Sequence, residues 1–369
     1  MDIFKALKML VDKNGSDLFV TVGLPLTLKI NNQIQAITKE SLSTQHVTTA
    51  INATLNEDEC AKLHNTHESN CAVDIDGAGR FRISAFYQKG EPGMVIKRIN
   101  TKIPTLSELG LPAHLSEQAS QPKGLTLITG PAGSGKSTTM ASLISHRNAA
   151  DKGHIILIED PIEYVHTHNQ CIITQRDVGL DTASYEKGLI NALRQSPNII
   201  AIGEIRSLAV MKYVLTAVET GHHCIATLHA NNSYQALERI IHFFPLEQRS
   251  QILMDLSLNI KAIIGQQLIE SKARDKIYPA VEVMLNSPTV ADLIRKGAIS
   301  ELKDVITKSR EQGMQTFDQS LYDLYEAGKI SYEKALLHAT SANDLRLMIK
   351  LKGTPPTSEK GFDTDALSV

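Results

Sequence analysis

The chain reads as α/β: a parallel-sheet nucleotide-binding domain preceded by a smaller α+β domain. Three observations predict this class. Residues 130–137 spell Gly-Pro-Ala-Gly-Ser-Gly-Lys-Ser between an apolar strand pattern and a helical one. From about residue 113, strand and helix patterns alternate, which implies a parallel sheet with crossover helices. Before residue 100, short strand-like runs follow one another with few helical stretches between them. At 369 residues there is room for two domains and a tail, and 42% hydrophobic with 21% charged content is ordinary globular composition.

The elements follow in order. Phe4, Leu7 and Val11 repeat with a helical period that ends at Asn14-Gly15. Strands are expected at 18–22, 26–30 and 34–37, the last two separated by the turn-prone Asn31-Asn32. Two short helices are expected near 43–53 and 56–65, then three antiparallel strands at 72–75, 81–87 and 94–99. Residues 1–99 therefore form one α+β domain. Residues 100–112, where Pro104 and Pro112 bracket an apolar stretch, read as a linker. The larger domain spans 113–352, with strands at 125–129, 154–159, 198–202 and 222–228. Past 245 it reads as mainly helical to about 350, with amphipathic segments at 317–326 and 331–338 separated by Gly328. Residues 353–369 are polar, contain proline and lack apolar period, so they read as a disordered tail.

The phosphate loop carries the strongest chemistry. Strand 125–129 enters it and a helix leaves it, so a glycine turn meets a helix N-terminus, a ready anion site. Backbone N–H groups of Gly133, Ser134 and Gly135 can converge on phosphates, because glycine permits positive φ and close approach. The candidate ATP-binding set is Gly130, Pro131, Ala132, Gly133, Ser134, Gly135, Lys136, Ser137 and Thr138. Lys136 supplies a point charge for the β- and γ-phosphates, and Ser137 a hard oxygen ligand for Mg²⁺.

Acidic residues downstream say what is done with the nucleotide. Asn198-Ile-Ile-Ala-Ile-Gly-Glu204 is an apolar strand that delivers a carboxylate at its C-terminal edge, where open α/β sheets bind ligands. Glu204 is thus the candidate Mg²⁺ carboxylate, acting directly or through water. Strand 155–158 runs into Glu159-Asp160-Pro-Ile-Glu163, three carboxylates within five residues, from which a base for the attacking water can come. His229 ends a fourth strand at the same edge, as a sensor for the γ-phosphate, while His222 and His223 begin that strand at the opposite end. Arg80, Arg82 and Arg98 on the early strands, with Arg194 and Arg206 later, are candidates for the mobile positive charge that phosphoryl transfer wants, the alternative being that they are solvated, as most arginines on strands are.

Taken together these boxes resemble the PilT/PilU branch of the type II/type IV secretion ATPase superfamily, from Gly15-Ser-Asp17-Leu through to Leu351. The carriers are Gly130–Ser137, Ile158-Glu-Asp-Pro-Ile-Glu163, Gly203-Glu-Ile-Arg206, and Thr220-Gly-His222 through Thr227-Leu-His229; Gln175-Arg176, Val178-Gly179 and Leu193-Arg-Gln195 fit too. The resemblance implies a PAS-like N-terminal domain joined to a RecA-like P-loop ATPase domain, assembled as a homohexameric ring at the cytoplasmic face of a bacterial inner membrane. It further implies ATP and Mg²⁺ as cofactors, Glu163 as the water-activating carboxylate and Glu204 in the metal site. Arg82, Arg98, Arg194 and Arg206 become phosphate contacts. An inner-membrane pilus platform protein is the implied anchor. PilT-type motors carry an Ala-Ile-Arg-Asn-Leu-Ile-Arg-Glu motif, and here the corresponding stretch is taken as Ala280-Val-Glu-Val-Met-Leu-Asn-Ser287, with neither arginine. With Gly313-Met-Gln-Thr-Phe-Asp318 and Asn343-Asp-Leu-Arg346, this departure resembles the accessory PilU-like subgroup, which implies a PilT-type partner.

Composition weighs on the rivals. A net charge of −2 and 5% aromatic residues disfavour a nucleic-acid motor. Cys60, Cys71, Cys171 and Cys224 are scattered without a C-x-x-C pair, so a metal-ribbon insertion of the kind found in extension and secretion ATPases is not expected. They read as core residues of a reducing compartment, and no apolar stretch is long enough to span a bilayer. A pilus-extension or type II secretion ATPase, and a nucleotide-binding regulator with little hydrolysis, stay open as alternatives.

Overall fold

The computed structural model describes residues 2–30, 33–273 and 276–352; the expected turn at Asn31-Asn32 and the expected tail at 353–369 lie outside them. The chain divides into two compact units, 1–103 with 161–167 and 179–181, and 104–160 with 168–178 and 182–369.

The first unit begins with helix α1 (Ile3–Asp12), whose Ile3, Ala6, Leu7 and Leu10 form one buried face. Strands β1 (Asp17–Thr21), β2 (Pro25–Ile30) and β3 (Gln33–Ser41) follow, then helices α2 (Thr44–Thr54) and α3 (Glu57–Thr66). Both helices open with a capping box, at Ser43/His46 and Asn56/Glu59, which satisfies otherwise orphaned N–H groups. Strands β4 (Glu68–Ile75), β5 (Gly79–Gln88) and β6 (Glu91–Arg98) complete an antiparallel sheet of order β3-β2-β1-β6-β5-β4. One sheet face packs with the three helices in a single apolar cluster. Segment 161–167 joins this unit through a bridge between Asn100 and Tyr164.

The second unit is a seven-stranded sheet with helices on both faces. Residues 104–112 belong to its core rather than to an extended connection: Leu106 and Leu111 are buried, and Leu111 N–H donates to Leu106 O at 2.9 Å. After α4 (Ser116–Ala119) come β7 (Gly124–Thr129), α5 (Lys136–Ala150), β8 (Gly153–Glu159), β9 (Cys171–Asp177), α6 (Tyr185–Ala192), β10 (Ile199–Ile202), α7 (Leu208–Glu219) and β11 (His223–Leu228). Then follow α8 (Ser233–Phe243), α9 (Arg249–Asn259), β12 (Ile260–Glu270) and β13 (Ile277–Leu285). The strand order is β13-β12-β7-β11-β10-β8-β9, and every pairing is parallel except β12–β13. Strands β7, β10 and β11 are buried along their whole length, as expected of a parallel sheet covered on two sides.

Strands β9, β12 and β13 correct the sequence reading, which has no strand at 171–177 and reads the chain past 245 as mainly helical. Strands β12 and β13 are buried on both faces over most of their length, so their apolar runs lack the period-two alternation that marks a half-exposed strand. Helices α10 (Pro288–Lys296), α11 (Leu302–Lys308), α12 (Phe317–Glu326), α13 (Tyr332–His338) and α14 (Ala342–Lys352) follow, the last three packing around Phe317, Leu321, Leu345 and Ile349.

Candidate nucleotide site

Register decides what meets at the carboxyl edge of the second sheet. Ile202 stands beside Ala226 and Ile158, and Leu228 beside Thr129, so β7, β8, β10 and β11 end level with one another. The residues that follow those ends are Gly130, Asp160, Gly203-Glu204 and His229.

The loop 130–135 is left-handed at its glycines, with φ of 76° at Gly133 and 86° at Gly135. A Cβ at Gly130 would land on Ser134 Oγ and the Gln266 carbonyl oxygen, and one at Gly135 would stand 2.8 Å from Gln266 Nε2. These positions therefore require glycine. Lys136, the first residue of α5, is buried and donates to the carbonyls of Gly130 and Pro131 at 2.9 and 2.8 Å.

From Lys136 a chain of polar contacts crosses the edge. Lys136 Nζ lies 3.4 Å from His229 Nδ1, and His229 Nε2 lies 3.2 Å from Glu204 Oε1. An ammonium can only donate, so Nδ1 is the acceptor and Nε2–H points at the carboxylate. The other Glu204 oxygen takes Arg206 Nε–H at 2.6 Å, and Arg206 Nη1 reaches Asp160 Oδ2 at 3.4 Å. The bond to Glu204 pushes the Arg206 guanidinium further up from its ordinary range. Glu204 is well buried while Arg206 and His229 are more open, so the carboxylate is held from two sides at the mouth of the site. The backbone beneath is fixed too: Thr227 Oγ1 donates to Gly203 O, and Ile205 N–H donates to Thr227 O at 2.9 Å.

Other expected residues stand elsewhere. Glu163 is exposed on 161–167, a segment of the first unit, and is no member of this chain of contacts. Arg194 is exposed just past α6, beside Gln195, whose carbonyl contacts His154 at the start of β8. That is the opposite edge of the sheet from Glu204. In the first unit, Arg82 pairs with Lys97 on one face of the sheet, whereas Arg98 pairs with Phe81 on the helix-covered face. Arg98 donates to Asn14 Oδ1 at 3.2 Å, at the end of α1. Arg80 forms an ion pair with Asp74 at 2.9 Å. His223 is buried at the start of β11, with Nε2 3.1 Å from Thr126 Oγ1, a packing position. Sequence reasoning missed Gln266, whose Oε1 accepts from Thr139 Oγ1 at 2.6 Å. The signal was present as two adjacent glutamines inside an apolar run.

The arginine motif has its counterpart in the helix after β13, not in the stretch 280–287. Residues 280–285 are strand β13, whereas Ala-Ile-Arg-Asn-Leu-Ile-Arg-Glu has apolar pairs four residues apart, a helical period. The helix that follows, α10, contains Thr289-Val-Ala-Asp-Leu-Ile-Arg295-Lys, which shares Leu-Ile-Arg. One of the two arginines is therefore present, as Arg295, paired with Asp292 at 2.6 Å.

Residues 3–333 match the model of the family described as type II/IV secretion system protein. The chain is 51% identical over its full length to the type IV pilus ATPase PilU of Pseudomonas aeruginosa, covering 97% of that protein. It is 34% identical to the retraction ATPase PilT of the same organism, over 91% of this chain and 97% of that one. The crystal structure of the pilus retraction motor PilT with bound ADP superposes with a TM-score of 0.89 at 33% identity, covering 94% of this chain and 100% of that one. These likenesses bear out the resemblance read from the boxes and the α/β class with its RecA-like ATPase domain.

Proposed function

The chain belongs to the type II/IV secretion system protein family, as an ATPase of its type IV pilus branch, and from that premise we propose that it is an accessory retraction motor. In this reading a homohexameric ring hydrolyses ATP beside a PilT-type partner and pulls on the pilus through an inner-membrane platform protein. The likeness to PilU over the full chain supports the role, and the observation that carries the hydrolysis is the run of contacts from Lys136 through His229 and Glu204 to Arg206, set directly beside the phosphate loop.

Each side chain then has a task. Phosphate oxygens compete with the Gly130 and Pro131 carbonyls for the Lys136 ammonium. The Ser134 hydroxyl is buried with no hydrogen-bond partner among the described residues, as suits a donor to phosphate. When Lys136 turns to the nucleotide, His229 Nδ1 is released and its state can report the γ-phosphate to Glu204. Arg206 and, from neighbouring protomers, Arg82, Arg98 and Arg194 offer charge to the transition state. Glu163 orients and deprotonates the attacking water.

Mg²⁺ fits the donor set. Ser137 and Glu204 offer hard oxygens, and no group of three or more His, Cys, Asp or Glu poised for a metal occurs among the described residues. That pattern suits a cation shared with substrate phosphates rather than an all-protein cage. When bound, Mg²⁺ would neutralise charge developing on the phosphates. No helix among the described residues is long and apolar enough to cross a membrane; in this reading it is the platform protein that holds the ring peripherally on the cytoplasmic side.

Phosphate release by the purified chain, set against Glu204→Ala and Glu163→Gln, tests the enzyme. Equal rates for all three would leave a nucleotide-binding regulator. Pilus retraction in cells lacking the chain tests the role: unimpaired retraction with lost extension would assign it to extension instead.

A further inference from the structure

Two residues outside every motif tie the loops of the site to a single hairpin. Gln266 lies on β12 and Glu282 on β13, and the register sets Glu282 opposite Gly265, one rung from Gln266. Gln266 meets the phosphate loop and α5 through Gly135 and Thr139. Glu282 is 5% exposed, and its Oε1 accepts both the backbone N–H and the hydroxyl of Ser233, at 2.8 and 2.6 Å. Ser233 opens α8, four residues after His229. Burial pushes the Glu282 carboxyl up, and the two Ser233 donors pull the other way. A carboxyl in an otherwise apolar strand is costly unless its partners hold it, and here both partners sit at the end of the His229 loop.

We propose that Glu282 is a positioning residue for the hydrolysis: through Ser233 it holds residues 229–232 where His229 meets Lys136 and Glu204, while Gln266 props the phosphate loop from the adjacent strand. The inference rests on His229 acting as the phosphate sensor. Nothing connects Glu282 to nucleotide directly, so its removal acts on turnover rather than on binding.

The test is phosphate release by the full chain over a range of ATP concentrations. Glu282→Ala lowers kcat about tenfold or more while KM stays within about twofold, the loss of two hydrogen bonds to a charged acceptor. Glu282→Gln, whose amide oxygen can still accept from Ser233, recovers most of the rate. In the double variant Glu282→Ala/His229→Ala, turnover is no slower than in His229→Ala alone, because both changes act through one imidazole. Multiplied losses would overturn the inference, as would an unchanged kcat in Glu282→Ala. If that variant does not fold by circular dichroism, Ser233→Ala enters the same cycle with an expected fall of about threefold. A His229→Ala enzyme at full rate sinks the sensor reading and this inference together; a slow one whose loss multiplies with that of Glu282→Ala sinks this inference alone.

Discussion

At the scale of single residues, the site is decided by atoms that leave no room for alternatives. A methyl group on Gly130 would collide with Ser134 Oγ and the Gln266 carbonyl, at a backbone φ of 156°. Gly130→Ala should cost about 2–3 kcal/mol in stability and abolish measurable ATP binding, as read by thermal melting and by titration with a fluorescent nucleotide. His223 makes a different kind of prediction. Burial, with Arg147 and Lys261 adding to it, lowers its ring from an ordinary 6.5 to about 3. The fold thus favours the neutral imidazole, while the unfolded chain takes up a proton below 6.5. The His223 contribution to stability is full above that pH and drains away as pH falls towards 3, at about 1.4 kcal/mol per unit. Denaturant unfolding of His223→Gln between pH 6 and pH 4 should show a shallower decline than the parent, and equal slopes would remove His223 from the account.

At the scale of elements, the C-terminal helices hang on one carboxylate. Asp318 in α12 accepts from the N–H groups of Thr340 and Ser341 at 2.7 and 3.2 Å, at the start of α14. Asp318→Ala strands two amide donors and should cost about 2–3 kcal/mol, appearing as lost hydrogen-exchange protection in 342–352 before the central sheet opens. The same scale shows what a sequence can and cannot say. All six strands and three helices of the first unit were legible, because turns and polar faces punctuate them. So were β7, β8, β10 and β11, each delivering a motif at its end. Strand β9 is apolar only over Cys171-Ile-Ile and turns polar from Thr174 to Asp177, too short a run to mark a strand, and β12 and β13 are covered on both faces, which erases alternation and leaves runs that read equally well as buried helix. Lys136, Glu204 and His229 were found because they sit beside glycines and strand ends. Gln266 and Glu282 escaped because a polar residue within a hydrophobic strand has no motif of its own; only the partner across space, Thr139 or Ser233, gives it meaning.

At the scale of the whole molecule, the placement of Arg194 bears on assembly. Its guanidinium is exposed, has no ion-pair partner among the described residues, and stands at the sheet edge opposite Glu204. It cannot serve the phosphate loop of its own RecA-like domain from there. In a ring of identical subunits joined head to tail, however, each subunit offers a different face to each neighbour, and a group remote from one site can complete the next. If Arg194 acts in that way, protomers carrying Arg194→Ala and protomers carrying Lys136→Ala, each inactive alone, will complement when mixed and reassembled. With random mixing, one interface in four joins an intact Lys136 to an intact Arg194, so about a quarter of the parental phosphate release should return. A mixture as inactive as its parts would confine Arg194 to a structural role. It would then leave the transition-state charge to Arg206, which already contacts Glu204, and to the arginines of the first unit.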